Sequence, residues 1–167
     1  MNKKTKQLTH GALIAALYVV LTHMQNMLVP DSASMMIQFR VSEAMCVLAF
    51  FTPAAVWGLS LGCFLFNLTF AGSLPLDIIV GTFATLLSTG GMYLTRNWKL
   101  KGYPLFGMWL PAVLNAILVG WELSFYIGGG FWLNFTCVAI GEIVVLLTLG
   151  SVLYYSLLRR NLHNRIF

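Results

Sequence analysis

The side chains best able to do chemistry in this chain are carboxylates set in apolar surroundings. Asp and Glu number only 5 in 167 residues: Asp31, Glu43, Asp77, Glu122 and Glu142. Arg40 stands three residues before Glu43, and Asn67, Asn115 and Asn134 complete the strongly polar set. A carboxylate can accept a pair of donors from the edge of a ligand, hold an ammonium group, or move a proton as a general acid or base. Covalent and metal chemistry have less support. His10, His23 and His163 are too scattered for a metal set, and Cys46, Cys63 and Cys137 fall in apolar runs as small core residues would. The sequence contains no G-x-x-x-x-G-K-[ST] loop, no H-E-x-x-H and no G-x-S-x-G. No catalytic residue, metal or cofactor is therefore expected, and the polar set looks built to bind.

Composition says what must position these groups. Hydrophobic residues make up 59% of the chain and charged residues 9%, against about 25% charged in a soluble domain. Lipid can solvate that much apolar surface and water cannot. The expectation is a single all-α integral membrane domain over residues 1–167. The net charge of +5 could suggest nucleic acid, but its placement excludes that class. Lys3, Lys4 and Lys6 precede the first apolar run, Arg96, Lys99 and Lys101 share one loop, and Arg159, Arg160 and Arg165 close the chain. Cations beside apolar runs follow the positive-inside pattern. The first apolar run lacks a convincing cleavage site and is read as a retained helix, not a signal peptide.

The apolar runs cover about 8–29, 35–71, 76–94, 105–125 and 131–158. The second is too long for one span and contains Thr52-Pro53, a dipeptide that disfavours helix. Parity resolves it. The N-terminus and the Arg96–Lys101 loop should both be cytoplasmic, so an even number of crossings separates them. Splitting at Pro53 gives spans 35–51 and 54–71, hence six transmembrane helices with both termini inside. Trp98 and Trp109 then fall near the inner interface, Trp121 and Trp132 near the outer one. The last run exceeds a bilayer thickness and should tilt or project.

With that topology the polar residues gather on one side. Asp31, Arg40, Glu43, Asp77 and Glu122 fall in the outer half with Asn67 and Asn134, while Asn115 and Glu142 lie near the middle. An intramembrane charge costs a few kcal/mol or more and faces the bundle interior with a partner, which suggests a polar chamber open to the outside. Each residue also has a plainer role. Arg40 and Glu43 can pair with each other. Asp77 can serve a helix start, Glu122 can be solvated at the interface, and the asparagines can bond between helices. Glu142 is hardest to explain without a cavity. On the inner side, Gly11 with Ala15 and Ala12 with Ala16 are small residues four apart, a spacing that admits a close partner helix or ordinary packing within the bundle. Gly128-Gly129-Gly130 is the most flexible outer loop.

Ala12/Ala16 matches the A-x-x-x-A signature of the substrate-binding subunits (S-components) of energy-coupling factor (ECF) transporters. The stretches IQFRVSEAMCVLAFFTPAAVWGLSLGC (37–63), LDIIVGTFATLL (76–87) and VAIGEIVVL (138–146) are more specific. They resemble the QueT-type queuosine-precursor transporters over most of the chain. The resemblance implies capture of a 7-deazaguanine ligand, such as 7-aminomethyl-7-deazaguanine, its nitrile or queuine, at a bacterial cell membrane. It also implies partners: a transmembrane coupling subunit docked on Gly11, Ala12, Ala15 and Ala16, and two ATPase subunits that supply energy.

A guanine-like edge offers donors that one carboxylate can accept, an aminomethyl cation wants a second carboxylate, and the ring wants an aromatic face. The expected binding residues are Glu142 and Glu122 first, then Asp77, Glu43 and Arg40, with Asn67, Asn115 and Asn134. Phe39, Trp121, Trp132 and Tyr126 are the stacking candidates. The alternatives are an S-component for riboflavin or folate, a membrane-embedded lipid-modifying enzyme using Glu142 and Asp77 as acid and base, and a structural subunit of a larger complex.

Overall fold

The computed structural model describes residues 2–30, 39–70 and 72–159, and every regular element among them is helical. The α-helices are α1 (Lys3–Leu28), α2 (Ala54–Thr69), α3 (Asp77–Leu94), α4 (Leu105–Tyr126), α5 (Phe131–Val145) and α6 (Ser151–Arg159). A 3₁₀ helix covers Val41–Phe50, and a π-helical turn over Leu146–Gly150 joins α5 to α6. Four spans are long and apolar enough to cross a bilayer: Lys3–Leu28, Asp77–Leu94, Leu105–Tyr126 and the continuous Phe131–Arg159. The chain is an α-helical membrane protein, with Val41–Phe50 and Ala54–Thr69 as shorter apolar helices.

Consecutive α-helices pack on one another from α1 through α5, and the 3₁₀ helix fills the centre. It touches α1, α2, α3, α5, the π turn and α6. Its Met45, Cys46, Val47 and Phe50 meet Tyr18, Leu59, Phe66 and Tyr154 in the main apolar core. This element departs most from expectation. The span expected over 35–51 is neither α-helical nor so long: residues 35–38 lie outside the described residues, and the rest forms a 3₁₀ helix of 10 residues. Such runs are uncommon because their hydrogen bonds are poorly aligned. The geometry suits the position, since a rise of about 2.0 Å makes a narrower rod that reaches about 20 Å. Neighbours enclose it so fully that eight of its ten residues are buried. The break at Thr52-Pro53 falls where the sequence places it, with α2 starting at Ala54.

Close crossings bring the helices together. A Cβ on Gly58 would sit 2.7 Å from the Gly11 carbonyl oxygen, and one on Gly62 would sit 2.8 Å from the Tyr18 Cβ. Gly58 and Gly62 form a G-x-x-x-G pair that receives Gly11 and Ala15 of α1. Gly11 and Ala15 are therefore buried inside the bundle, contrary to their expected place on a docking face, whereas Ala12 and Ala16 are exposed. One helical turn separates the members of each pair, but about 100° separates the pairs. At the α4–α5 turn, Gly128, Gly129 and Gly130 have φ of 82°, 78° and 84°, a run of left-handed conformations that side chains resist.

Candidate substrate-binding site

Four carboxylates and one guanidinium converge where the 3₁₀ helix, α3, α4 and α5 meet. Arg40 lies within electrostatic reach of Glu43 and Asp77, and of Glu122 and Glu142 as well. Glu43 and Cys46 share one edge of the 3₁₀ helix, whose three-residue turn eclipses positions i and i+3, and Arg40 stands in extended backbone just before it. Asp31 lies outside the described residues. The other expected polar residues are all buried: among Arg40, Glu43, Asn67, Asp77, Asn115, Glu122, Asn134 and Glu142 none is more than 6% exposed. The structure brings these groups together in the bundle interior, buried and not lining an open chamber. Unscreened charge in lipid costs several kcal/mol, and burial among one another keeps these groups from it.

The carboxylates differ in what they already hold. Glu43 accepts the Tyr18 hydroxyl proton at 2.6 Å and the Cys46 thiol at 3.0 Å. Asp77, the first residue of α3, reaches back to the preceding turn, its Oδ2 accepting the Leu74 N–H at 2.9 Å. Glu142 takes one bond, from Asn115 Nδ2 to Oε1 at 2.7 Å, and its Oε2 has no donor. Glu122 faces Asp77 carboxyl to carboxyl, close enough to share a proton, and takes no other donor. It therefore lacks the solvation at the interface that its sequence position allowed.

Each asparagine donates to the protein. Asn67 Nδ2 reaches the Asp77 carbonyl at 2.8 Å, and Asn134 Nδ2 reaches the Gly128 carbonyl at 2.8 Å and Ser124 Oγ at 3.1 Å. Their Oδ1 atoms are left without a partner. Glu142, Asn67 and Asn134 thus share one deficiency: each keeps a buried oxygen with no donor. Buried acceptors without donors cost about 1–3 kcal/mol each, so a donor-rich ligand would find this centre prepared.

The stacking candidates are not in the cluster. Trp121 is 56% exposed and Trp132 is 74% exposed, and Phe39 and Tyr126 also lie at the surface. Trp121 precedes the inward Glu122 by one residue, which turns it about 100° away on the helix. Tyr18 was not foreseen from sequence. It belongs to a polar stripe on α1 that bonds to the segment carrying Arg40 and Glu43. Thr22 donates to Ser42 at 2.7 Å, and Gln25 brackets Arg40 by bonding the Phe39 carbonyl and accepting the Val41 N–H at 2.7 Å. The spacing of 18, 22 and 25 on one helical face is its only sequence signal.

Fold and site together define a small helical membrane protein with a buried, acceptor-rich polar centre, a design suited to holding a small polar molecule within the bilayer. The QueT transporter family model matches residues 8–159, and the chain belongs to that family. It is 30% identical over 151 residues to the queuosine precursor transporter QueT of Lactococcus lactis subsp. cremoris (strain MG1363), covering 84% of this chain and 86% of that protein. No solved structure matches the chain significantly.

Proposed function

We propose that this protein is the substrate-capture S-component of an ECF-type importer, taking a queuosine precursor of the 7-deazaguanine type from outside a bacterial plasma membrane. In this reading it spans the membrane six times with both termini inside. A coupling subunit docks on Ala12 and Ala16, and two ATPase subunits drive uptake. The observation that carries the ligand assignment is the surplus of buried acceptors at Glu122 and Glu142. A 7-deazaguanine presents N1–H and an exocyclic amine on one edge, and the aminomethyl form adds an ammonium group, so donors on the ligand meet acceptors in the protein. Tyr18, a buried aromatic bonded to Glu43, replaces the exposed tryptophans as the stacking wall. Binding has to part the closed cluster to admit the ring.

The test is a titration of purified protein with 7-aminomethyl-7-deazaguanine. Saturable binding below about 10 µM is expected, corresponding to roughly −7 kcal/mol. Glu122→Gln and Glu142→Gln should each weaken it by about tenfold or more, since a hydrogen bond to a charged group contributes about 1.5–3 kcal/mol. Saturable binding of riboflavin or folate instead, in a thermal-shift panel, would assign the site to another vitamin.

A further inference from the structure

A second feature lies at the opposite end of α4, in the turn between α3 and α4. There Trp98, Lys99, Leu100, Leu105, Phe106 and Trp109 line a groove of about 470 Å³. Its rim is firm. Leu100 and Tyr103 exchange backbone hydrogen bonds of 2.9 and 3.0 Å across Lys101-Gly102, and the Trp98 ring rests on Phe106 at 5.5 Å between centroids. Arg96 is engaged within the chain, donating to the Tyr93 carbonyl at 2.7 Å with its guanidinium over the Tyr93 ring. Lys99 and Lys101 are exposed, and among the described residues no carboxylate is available to them, since Glu43, Asp77, Glu122 and Glu142 all lie in the buried cluster. The lining therefore carries one ammonium group, Lys99, beside two exposed tryptophans, and Lys101 stands exposed on the adjoining turn.

The floor runs on into the lipid-facing side of α4. Phe106, Trp109, Val113 and Ile117 are all exposed at spacings of three, four and four, one continuous stripe on the helix. From Phe106 to Ile117 it extends about 16 Å at about 1.5 Å per residue. That is about half of a hydrocarbon core of about 30 Å, the reach of one leaflet's acyl chains. An anionic headgroup on apolar tails of that length complements a basic turn above such a track. Basic pockets at the cytoplasmic ends of spans bind anionic head groups in this way.

We propose that this groove is a specific site for an anionic phospholipid, with its phosphate between Lys99 and Lys101 and an acyl chain along Phe106, Trp109 and Val113. The site is separate from the carboxylate cluster and does not depend on what that cluster binds. The test is native mass spectrometry of the full chain, delipidated and then equilibrated with equal amounts of phosphatidylglycerol and phosphatidylcholine. Wild type should retain one phosphatidylglycerol in preference to phosphatidylcholine. Lys99→Gln/Lys101→Gln should lower that retention about five- to thirty-fold, from about one kcal/mol per basic residue at a membrane surface. Lys3→Gln/Lys4→Gln, which removes equal charge elsewhere, should change it less than about twofold if only local charge counts. Equal retention of the two lipids, or an equal loss in the Lys3/Lys4 variant, would reduce the effect to diffuse attraction and overturn the site. Loss of a co-purifying polypeptide with unchanged lipid retention would assign the groove to a protein partner and overturn it equally.

Discussion

Glu43 draws a phenolic and a thiol donor from its own chain, whereas Glu142 draws a single amide donor and keeps one oxygen without any. In the proposed reading, that contrast separates a carboxylate held by the protein from one left for a ligand. If Tyr18 positions Glu43, Tyr18→Phe leaves a buried carboxylate oxygen short of a donor at a cost of about 1–3 kcal/mol. The expected outcome is a lower melting temperature together with weaker ligand binding, read by thermal unfolding and by titration on the same preparation. Unchanged values for both would show that the 2.6 Å contact contributes nothing. The carboxylates and asparagines were legible in the sequence because few polar groups survive in an apolar chain without a reason. Tyr18 was not, since a tyrosine in a first span passes as an interfacial residue until the fold shows its hydroxyl on Glu43. The tryptophans misled for a related reason: Trp121 is next to Glu122 in sequence and on another face in space.

At the scale of elements, α1 divides its small residues between two tasks. Gly11 and Ala15 press into the G-x-x-x-G of α2, and Ala12 and Ala16 remain on the surface. Gly58→Ala should destabilise by about 1–3 kcal/mol, as overpacking does, because its new Cβ meets backbone at 2.7 Å. Gly90→Ala meets only Val56 Cγ1 at 4.0 Å, so the lower entropy of the unfolded chain should make it neutral or stabilising by up to about 1 kcal/mol. Thermal unfolding of the two variants side by side checks the pair. Ala12→Leu and Ala16→Leu change only the outer face. They should leave the fold and ligand titration unaltered while abolishing co-purification with a coupling subunit. Loss of binding in these variants would place that face inside the bundle after all. The proline break and the four long spans could be foreseen from the sequence, since Pro53 and the length of apolar runs act locally. The 3₁₀ form of Val41–Phe50 could not, because it arises from enclosure by neighbours and not from any preference of VSEAMCVLAF.

For the whole molecule, the number of crossings turns on that same element. Four spans are long enough to cross unaided, and α2, with 16 residues, reaches about 24 Å. The 3₁₀ helix reaches about 20 Å, short of a hydrocarbon core of about 30 Å. Its outer end need not meet lipid, however. Arg40 and Glu43 stop at the level of Asp77 and Glu122 inside a protein-lined centre, where irregular backbone and charge are tolerated. A short element can therefore complete a crossing that lipid alone would not support. The basic segments agree with that parity: Lys3–Lys6, Arg96–Lys101 and the chain's end lie on one side only if Val41–Phe50 crosses. A reporter fluorescent only in the cytoplasm, fused after Phe167, should be bright, and an export-dependent phosphatase inserted at Gly129 should be active. With the N-terminus and the Lys99 loop probed in the same series, all three basic segments should report inside. If the 3₁₀ helix fails to cross, the N-terminus will report opposite to the Lys99 loop while the C-terminus still matches that loop. That pattern would reduce the chain to five crossings and overturn the six-span, outward-loading arrangement proposed for Glu43.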